Sequence, residues 1–237
     1  MKRTKNSTDI KQSGQVKSSQ VDVHPQLEKF VRRHLASEWN QPLHPPTEEV
    51  FHSLAEGDVF TGSIILDSGC GTGESTRRLA KLYPGQRVIG VDQSLSRLGK
   101  SGVDCGVLRQ DNWLLARAEL ATFWRLLHKQ GVRLQKHLLL YPNPWPKPGH
   151  LQRRWHAHPV FPWLLALGGE IEMRCNWEIY ALEFAAAVQI ATRDTVEVRQ
   201  FQPEEGVSPF EAKYLERGHA LYSVKVPESV TAAFRLS

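Results

Sequence analysis

Cysteine and methionine are scarce in this chain, three and two among 237 residues. Cys70, Cys105 and Cys175 lie far apart, are odd in number and form no CxxC pair. That excludes a disulfide framework and a thiolate zinc site, and it agrees with a reducing compartment, so a cytoplasmic protein is expected. No run of about 18 apolar residues occurs, and nothing therefore reads as a membrane span. The first twenty residues lack the apolar stretch of a secretory leader. There is no internal repeat. Hydrophobic residues make up 41% and charged residues 23%, the proportions of a globular chain. Its length suits one α/β domain with a real core and is short for two.

Basic residues exceed acidic ones by 30 to 25, and their placement says more than their number. Lys2, Arg3, Lys5, Lys11 and Lys17 face a single acid, Asp9, in the first twenty positions. A second group, Lys147, Arg153 and Arg154, is interleaved with Trp145, His150, Trp155, His156 and His158. Cations beside stackable rings suit single-stranded or looped nucleic acid, with charge for phosphates and planes for bases. Trp155 and Trp163 are read as packing residues. A zinc site through His150, His156 and His158 would lack a fourth ligand, so no metal is expected.

Residues 1–22 are polar, without periodicity, and are expected to be a basic disordered tail. Residues 23–60 read as a helical lead-in, with a helix over Gln26–Trp39, a break at Gln41–Pro46 and a second helix after it. From residue 61 to 237 strands and helices alternate. Strands are predicted at Ser63–Asp67, Val88–Val91, Val107–Arg109, Gln135–Tyr141, Glu170–Cys175, Thr195–Gln200 and Ala220–Val226. Helices are predicted at Glu74–Tyr83, Trp113–Lys129, Leu151–Leu165 and Asn176–Ala191. This is an α/β pattern, a Rossmann-like, seven-stranded and mostly parallel sheet with helices on both faces and a ligand crevice at the strands' carboxyl ends.

The segment Asp67-Ser68-Gly69-Cys70-Gly71-Thr72-Gly73 follows a strand and opens a helix. Its glycines, Gly69, Gly71 and Gly73, allow a tight turn and close approach of a ligand. Asp67 stands ahead of the first glycine, where a carboxylate would repel a pyrophosphate but could pair with an ammonium. Asp92 ends the next strand, placed for both hydroxyls of a ribose. Asp111 follows the third predicted strand, where an acid can accept from an adenine amino group. Together these resemble the motifs of class I S-adenosylmethionine-dependent methyltransferases, which implies that fold and that cofactor.

Further on come Tyr141-Pro142-Asn143-Pro144-Trp145-Pro146-Lys147-Pro148-Gly149-His150, then Arg153-Arg154 and His158-Pro159-Val160-Phe161. Asn176-Trp177-Glu178-Ile179-Tyr180, Ser208-Pro209-Phe210-Glu211 and Gly218-His219 follow. This set resembles the bacterial tRNA (guanine-N7-)-methyltransferase family, with its PDPWxK loop, HxxRR segment and T-x-[FY]-E segment. The resemblance covers about Ile64 to Val226. It implies methyl transfer to guanine N7 in tRNA by a monomer. It also implies a cofactor pocket that includes Asn143, the candidate catalytic residue, beside the acids above. Lys147, Asn176, Ser208, Phe210 and Glu211 would hold the guanine, and the stretch with His150, Arg153 and Arg154 would meet the RNA backbone. The chain departs from the family at two carboxylates, replaced by Asn143 and Asn176, and at Gly149, where an arginine is usual. An amide offers one acceptor and two donors where a carboxylate only accepts. Asn143-Pro144-Trp145 also resembles part of the [DN]PP[YFW] loop of amino-group methyltransferases. Two alternatives therefore stand: methylation of an amino group or another RNA position with altered base choice, and a non-catalytic RNA-binding paralogue.

Overall fold

The apolar runs become eight strands of one sheet in the computed structural model, which describes residues 14–104 and 106–236. Helices α1 (Leu27–Ala36) and α2 (Pro45–Ala55) precede β1 (Ile64–Ser68), α3 (Glu74–Leu82), β2 (Arg87–Asp92) and the short α4 (Leu95–Leu98). Then follow β3 (Val107–Arg109), β4 (Trp113–Arg117), α5 (Leu120–Lys129), β5 (Lys136–Leu140), α6 (Phe161–Ala166) and β6 (Glu170–Cys175). The chain closes with α7 (Glu178–Thr192), β7 (Val198–Phe201), α8 (Pro209–Glu216), β8 (Leu221–Val226) and α9 (Glu228–Ala233). The strand order is β3-β4-β2-β1-β5-β6-β8-β7. Strands β4, β2, β1, β5 and β6 run parallel, while β3, β8 and β7 join through antiparallel pairings.

All five residues of β1 are buried, as in a strand covered on both faces, where alternation of polar and apolar residues disappears. Its neighbours divide by pleat. Ile64, Leu66, Ile89 and Leu139 pack with Phe123 and Trp124 of α5, while Ile65, Val88 and Leu138 pack with Leu79 and Ala80 of α3. The chain runs outward from β1 to β4 on one side and returns to β5 on the other. The carboxyl ends of β1 and β5 therefore diverge at a switch point, where a crevice opens. Among the described residues no helix is long and apolar enough to cross a membrane.

Two expected elements differ. Trp113–Lys129 is not one helix: residues 113–117 form β4, and α5 starts only after Glu119, whose side chain accepts from the amides of Ala121 and Thr122. Leu114, Leu115 and Ala116 are buried, and an apolar run this short does not declare its period. β4 is thus the eighth strand, and β3 pairs with it as an antiparallel hairpin. Leu151–Leu165 is likewise not one helix but 3-10 turns at Pro148–Arg153 and Trp155–Ala157 followed by α6. Arg154 and His158 are extended between them, the latter ahead of Pro159, as the residue before proline prefers.

The tail expected to be disordered also needs correction. Lys2, Arg3, Lys5 and Lys11 lie outside the described residues, as does Cys105. From Gly14 onward the chain instead takes a defined path past the carboxyl ends of β5 and β6, where Val16 packs against the core.

A Cβ built on Gly90, in the middle of β2, would lie 2.2 Å from the Thr76 hydroxyl oxygen and 2.8 Å from a Leu115 methyl. Substituting Gly90→Ala should therefore destabilise the fold by about 1–3 kcal/mol, as overpacking does. Denaturant unfolding checks this, and an unchanged midpoint would contradict the packing of α3 on β2.

Candidate active site

The loop between β1 and α3 is stitched to β2. The amides of Gly69 and Cys70 donate to the Val91 carbonyl at 2.8 and 3.1 Å, and the Gly71 amide donates to Asp92 Oδ2 at 3.0 Å. Gly69, Gly71 and Gly73 all have left-handed φ, +80°, +61° and +73°. At Gly73 packing also demands glycine, since a Cβ would lie 2.5 Å from Leu115 methyls. At Gly69 nothing lies within 4 Å of such a Cβ, and at Gly71 only Arg97 Cδ does, at 3.9 Å. These two positions border open space, as a ligand cradle requires.

Two carboxylates face this loop from neighbouring strand ends. Asp92 Oδ1 accepts from the Ser94 amide at 2.8 Å, and Arg97 lies 3.3 Å from Oδ2. Asp67 is buried, and its Oδ2 accepts from the hydroxyls of Ser75 and Thr76 at 2.6 and 2.7 Å, while Oδ1 has no partner. Burial raises its pKa to about 6, against the opposing effect of the two hydroxyls. An ammonium brought to that oxygen would satisfy a costly buried acceptor and stabilise the ionised form. The residues present thus fit an amino-acid-bearing nucleoside donor.

Asp111 does not join them. It lies in the β3–β4 turn, and because Trp113 pairs with Val88 near the start of β2, that turn is at the amino end of the parallel strands, across the sheet from the crevice. The acid at the crevice end of β4 is Glu119, which the sequence reading missed because it hid inside a supposed helix.

Across the switch point, the residues after β5 form a tight loop. Tyr141 and Trp145 adopt left-handed φ, +54° and +44°, without being glycine, a strain that the surroundings must impose. Asn143 is exposed and accepts from the Trp145 amide at 3.4 Å. The Trp145 ring meets His150 edge-on at 5.7 Å and carries the Arg153 guanidinium over it at 4.7 Å. Lys147 is exposed beside them. Lys147, His150 and Arg153 thus form one basic, aromatic patch at the crevice.

Arg154 does not belong to that patch. It is fully buried, donates from Nε and Nη2 to the Trp145 carbonyl at 3.3 and 3.1 Å, and pairs with Glu183 of α7. No RNA phosphate can reach it in this arrangement. Nor do the three histidines converge: His156 is buried against Glu183, and His158 lies edge-on to Trp39 and Trp155. Trp155 packs on Trp124, and Trp163 on Trp39.

The remaining candidates come from the end of β6 and the start of α8. Asn176 Nδ2 donates to the Gly14 carbonyl at 3.1 Å and lies 3.3 Å from His219 Nδ1. Ser208 caps α8 by accepting from the Glu211 amide at 3.2 Å. Phe210 is 43% exposed and stacks on Tyr214, which stacks in turn on His219 at 5.2 Å. Tyr141 reaches the same column at 5.4 Å from Tyr214. Glu211 is buried and held by Arg174 at 2.9 and 3.3 Å. Burial raises its pKa, while Arg174 opposes that shift.

Over residues 61–224 the chain matches the family described as "Putative methyltransferase". It belongs to that family. Among curated relatives, the tRNA (guanine-N(7)-)-methyltransferase of Halorhodospira halophila is 28% identical over 169 residues, 68% of this chain and 72% of that protein. The enzyme of the same name from Bordetella pertussis is 23% identical over 217 residues, 84% and 79% of the two chains. Among solved structures, the 16S rRNA (adenine(1408)-N(1))-methyltransferase from Catenulisporales acidiphilia superposes with a TM-score of 0.51 at 16% identity, covering 81% of this chain and 97% of that one. A mutant of that enzyme with cosubstrate SAM also gives 0.51, at 18% identity, covering 78% and 91%. These likenesses confirm the methyltransferase fold.

Because Asp67 must be ionised to pair with a cation, affinity for an ammonium-bearing methyl donor should rise as pH increases through about 6 and fall below it. In Asp67→Asn the affinity should be weaker and flat across that window. Calorimetric titrations at pH 5 and 7.5 measure both, and identical pH profiles for the two proteins would contradict the assignment.

Proposed function

We propose that the protein transfers the methyl group of S-adenosylmethionine to guanine N7 in tRNA, acting as a monomer in the cytoplasm. The observation that carries this reading is a glycine cradle with two strand-end carboxylates facing a Trp-Pro loop across the β1/β5 switch point. The family and the names of the curated relatives support it. The free, buried Cys70 and Cys175 suit a reducing compartment.

Asp67 would pair with the donor's amino group, Asp92 would accept from its ribose hydroxyls, and the β4–α5 junction at Glu119 would meet its adenine. When bound, the donor supplies an electrophilic methyl group on a sulfonium. Guanine N7 carries an in-plane lone pair and no proton, so no residue need act as a base. The chain's task is to hold base and methyl in line and exclude water. Asn143 would stand at the reacting centre, with Lys147 and Arg153 on the RNA and the Phe210–Tyr214–His219 column beside the base. The N1–H and N2–H₂ edge of guanine needs acceptors, which the side-chain carbonyls of Asn143 and Asn176 supply more weakly than carboxylates would.

One observation favours a second reading. Glu211, the carboxylate left on the substrate side, is buried and engaged by Arg174, so a base there meets amides first. That balance suits a base with both donors and acceptors on its edge, and another RNA position as target.

Incubating the protein with methyl-labelled donor and tRNA lacking 7-methylguanosine, followed by nucleoside mass spectrometry, should yield labelled 7-methylguanosine. A different labelled nucleoside selects the second reading, and no transfer to any RNA refutes both. Lys147→Ala and Arg153→Ala should each reduce the slope of log affinity for RNA against log salt by about 1. Arg154→Lys should leave that slope unchanged, and filter binding across salt concentrations separates the cases.

A further inference from the structure

Glu183 lies on α7, which presents mainly apolar residues to the core, and its side chain is wholly buried. Its carboxylate has four partners from two separate segments, residues 20–24 and 154–156. Oε1 accepts from Gln20 Nε2 at 2.6 Å and from the His24 amide at 3.0 Å. Oε2 takes Arg154 Nη1 at 2.5 Å and His156 Nε2 at 3.0 Å. Burial works against its charge, but the hydrogen bonds and charges of His156 and Arg154 prevail and lower its pKa to about 2. Gln20 closes the ring by accepting from Arg154 Nη2 at 3.0 Å, and the Arg154 guanidinium rests over the Trp177 ring at 4.9 Å.

The far side of this node is the Trp145 loop. The guanidinium that Glu183 fixes is the same one that donates twice to the Trp145 carbonyl, at a residue held at φ +44°. The segment that Gln20 anchors touches the loop again, where the Ser18 hydroxyl donates to the Pro146 carbonyl at 2.5 Å. It then crosses to Asn176, which donates to Gly14. Residues 14–24 therefore bridge both walls of the substrate side and are tied through Glu183 and Arg154 to the loop that bears Asn143 and Lys147.

We infer that Glu183 is a positioning residue: through Arg154 and Gln20 it locks the Gly14–His24 segment and the Asn143–Lys147 loop into one unit and sets the geometry of methyl transfer. It touches neither substrate nor donor. A shift of the loop by about an ångström would spoil an in-line attack at large cost in rate while leaving the Asp67 and Asp92 cradle at the ends of β1 and β2 intact. The inference deepens the methyl-transfer reading and rests on it for its kinetic consequence, but not for the coupling itself.

Two variants test it, Glu183→Gln and Gln20→Ala, the second leaving the buried Arg154–Glu183 pair in place. Amide hydrogen exchange in the full chain should rise together in peptides covering 14–24 and 143–150, with β1 and β2 unchanged. Single-turnover transfer from labelled donor to tRNA should slow roughly tenfold or more, with the dissociation constant for S-adenosylmethionine within about twofold of wild type. Unchanged exchange at 143–150 in Gln20→Ala overturns the inference, as does a weakened donor affinity equal to the loss in rate. If Glu183→Gln does not fold, Gln20→Ala decides alone. A wild-type protein that transfers no methyl to RNA refutes the proposed function instead, and the exchange measurement still reads the coupling.

Discussion

Three backbone amides, from Gly69, Cys70 and Gly71, converge on the Val91 carbonyl and the Asp92 carboxylate, and this small set of hydrogen bonds fixes the β1–α3 loop on the edge of β2. Every other feature of the donor side follows from it. The loop can take that path only with left-handed φ at three positions, which glycine permits without the cost other residues meet there. Once in place it leaves open space above Gly69 and brings Asp67 and Asp92 to its rim. Packing supports the same geometry from below, since Leu115 of β4 fills the room that side chains at Gly73 and Gly90 would need.

The other wall of the crevice is organised by buried charge rather than by glycine. Arg154 and Arg174 are both turned inward, and each is matched to a carboxylate, Glu183 and Glu211. An unpaired buried charge costs several kcal/mol, so such pairs hold their partners to one arrangement even where the net gain over apolar packing is small. Arg154 directs its donors to the Trp145 carbonyl, and Arg174 keeps Glu211 from the crevice. The chain has amides, Asn143 and Asn176, where the motifs it resembles carry acids, and Glu211 beside them is occupied by Arg174. On the proposed function, a base there would meet weaker, two-way hydrogen bonding and the stacked rings of Phe210, Tyr214 and His219.

The glycine loop and its two strand-end acids were legible in the sequence because their logic is local: a strand, an acid, glycines and a helix lie within a short stretch, and Asp92 follows at the end of the next strand. Asp111 was misplaced because a three-residue strand and a tight turn reverse the chain before β4, and Trp113–Ala118 has no period of its own to betray a strand. Arg153 and Arg154 are adjacent and chemically identical, yet one lies on a tryptophan at the surface and the other has no exposed atom. Only the extended conformation at Arg154, between two 3-10 turns, separates them. Glu183 looked like any polar residue of a helix, and the order of residues 14–24 depends on partners more than a hundred positions away.

Calorimetric titration of the demethylated product, S-adenosylhomocysteine, into wild-type protein and Asp92→Ala tests the donor cradle most directly. One molecule should bind per wild-type chain, and loss of the Asp92 carboxylate should weaken it by about ten- to a hundredfold, the worth of charge-assisted hydrogen bonds. Absence of binding to the wild type, or equal affinity in the two proteins, would contradict the account.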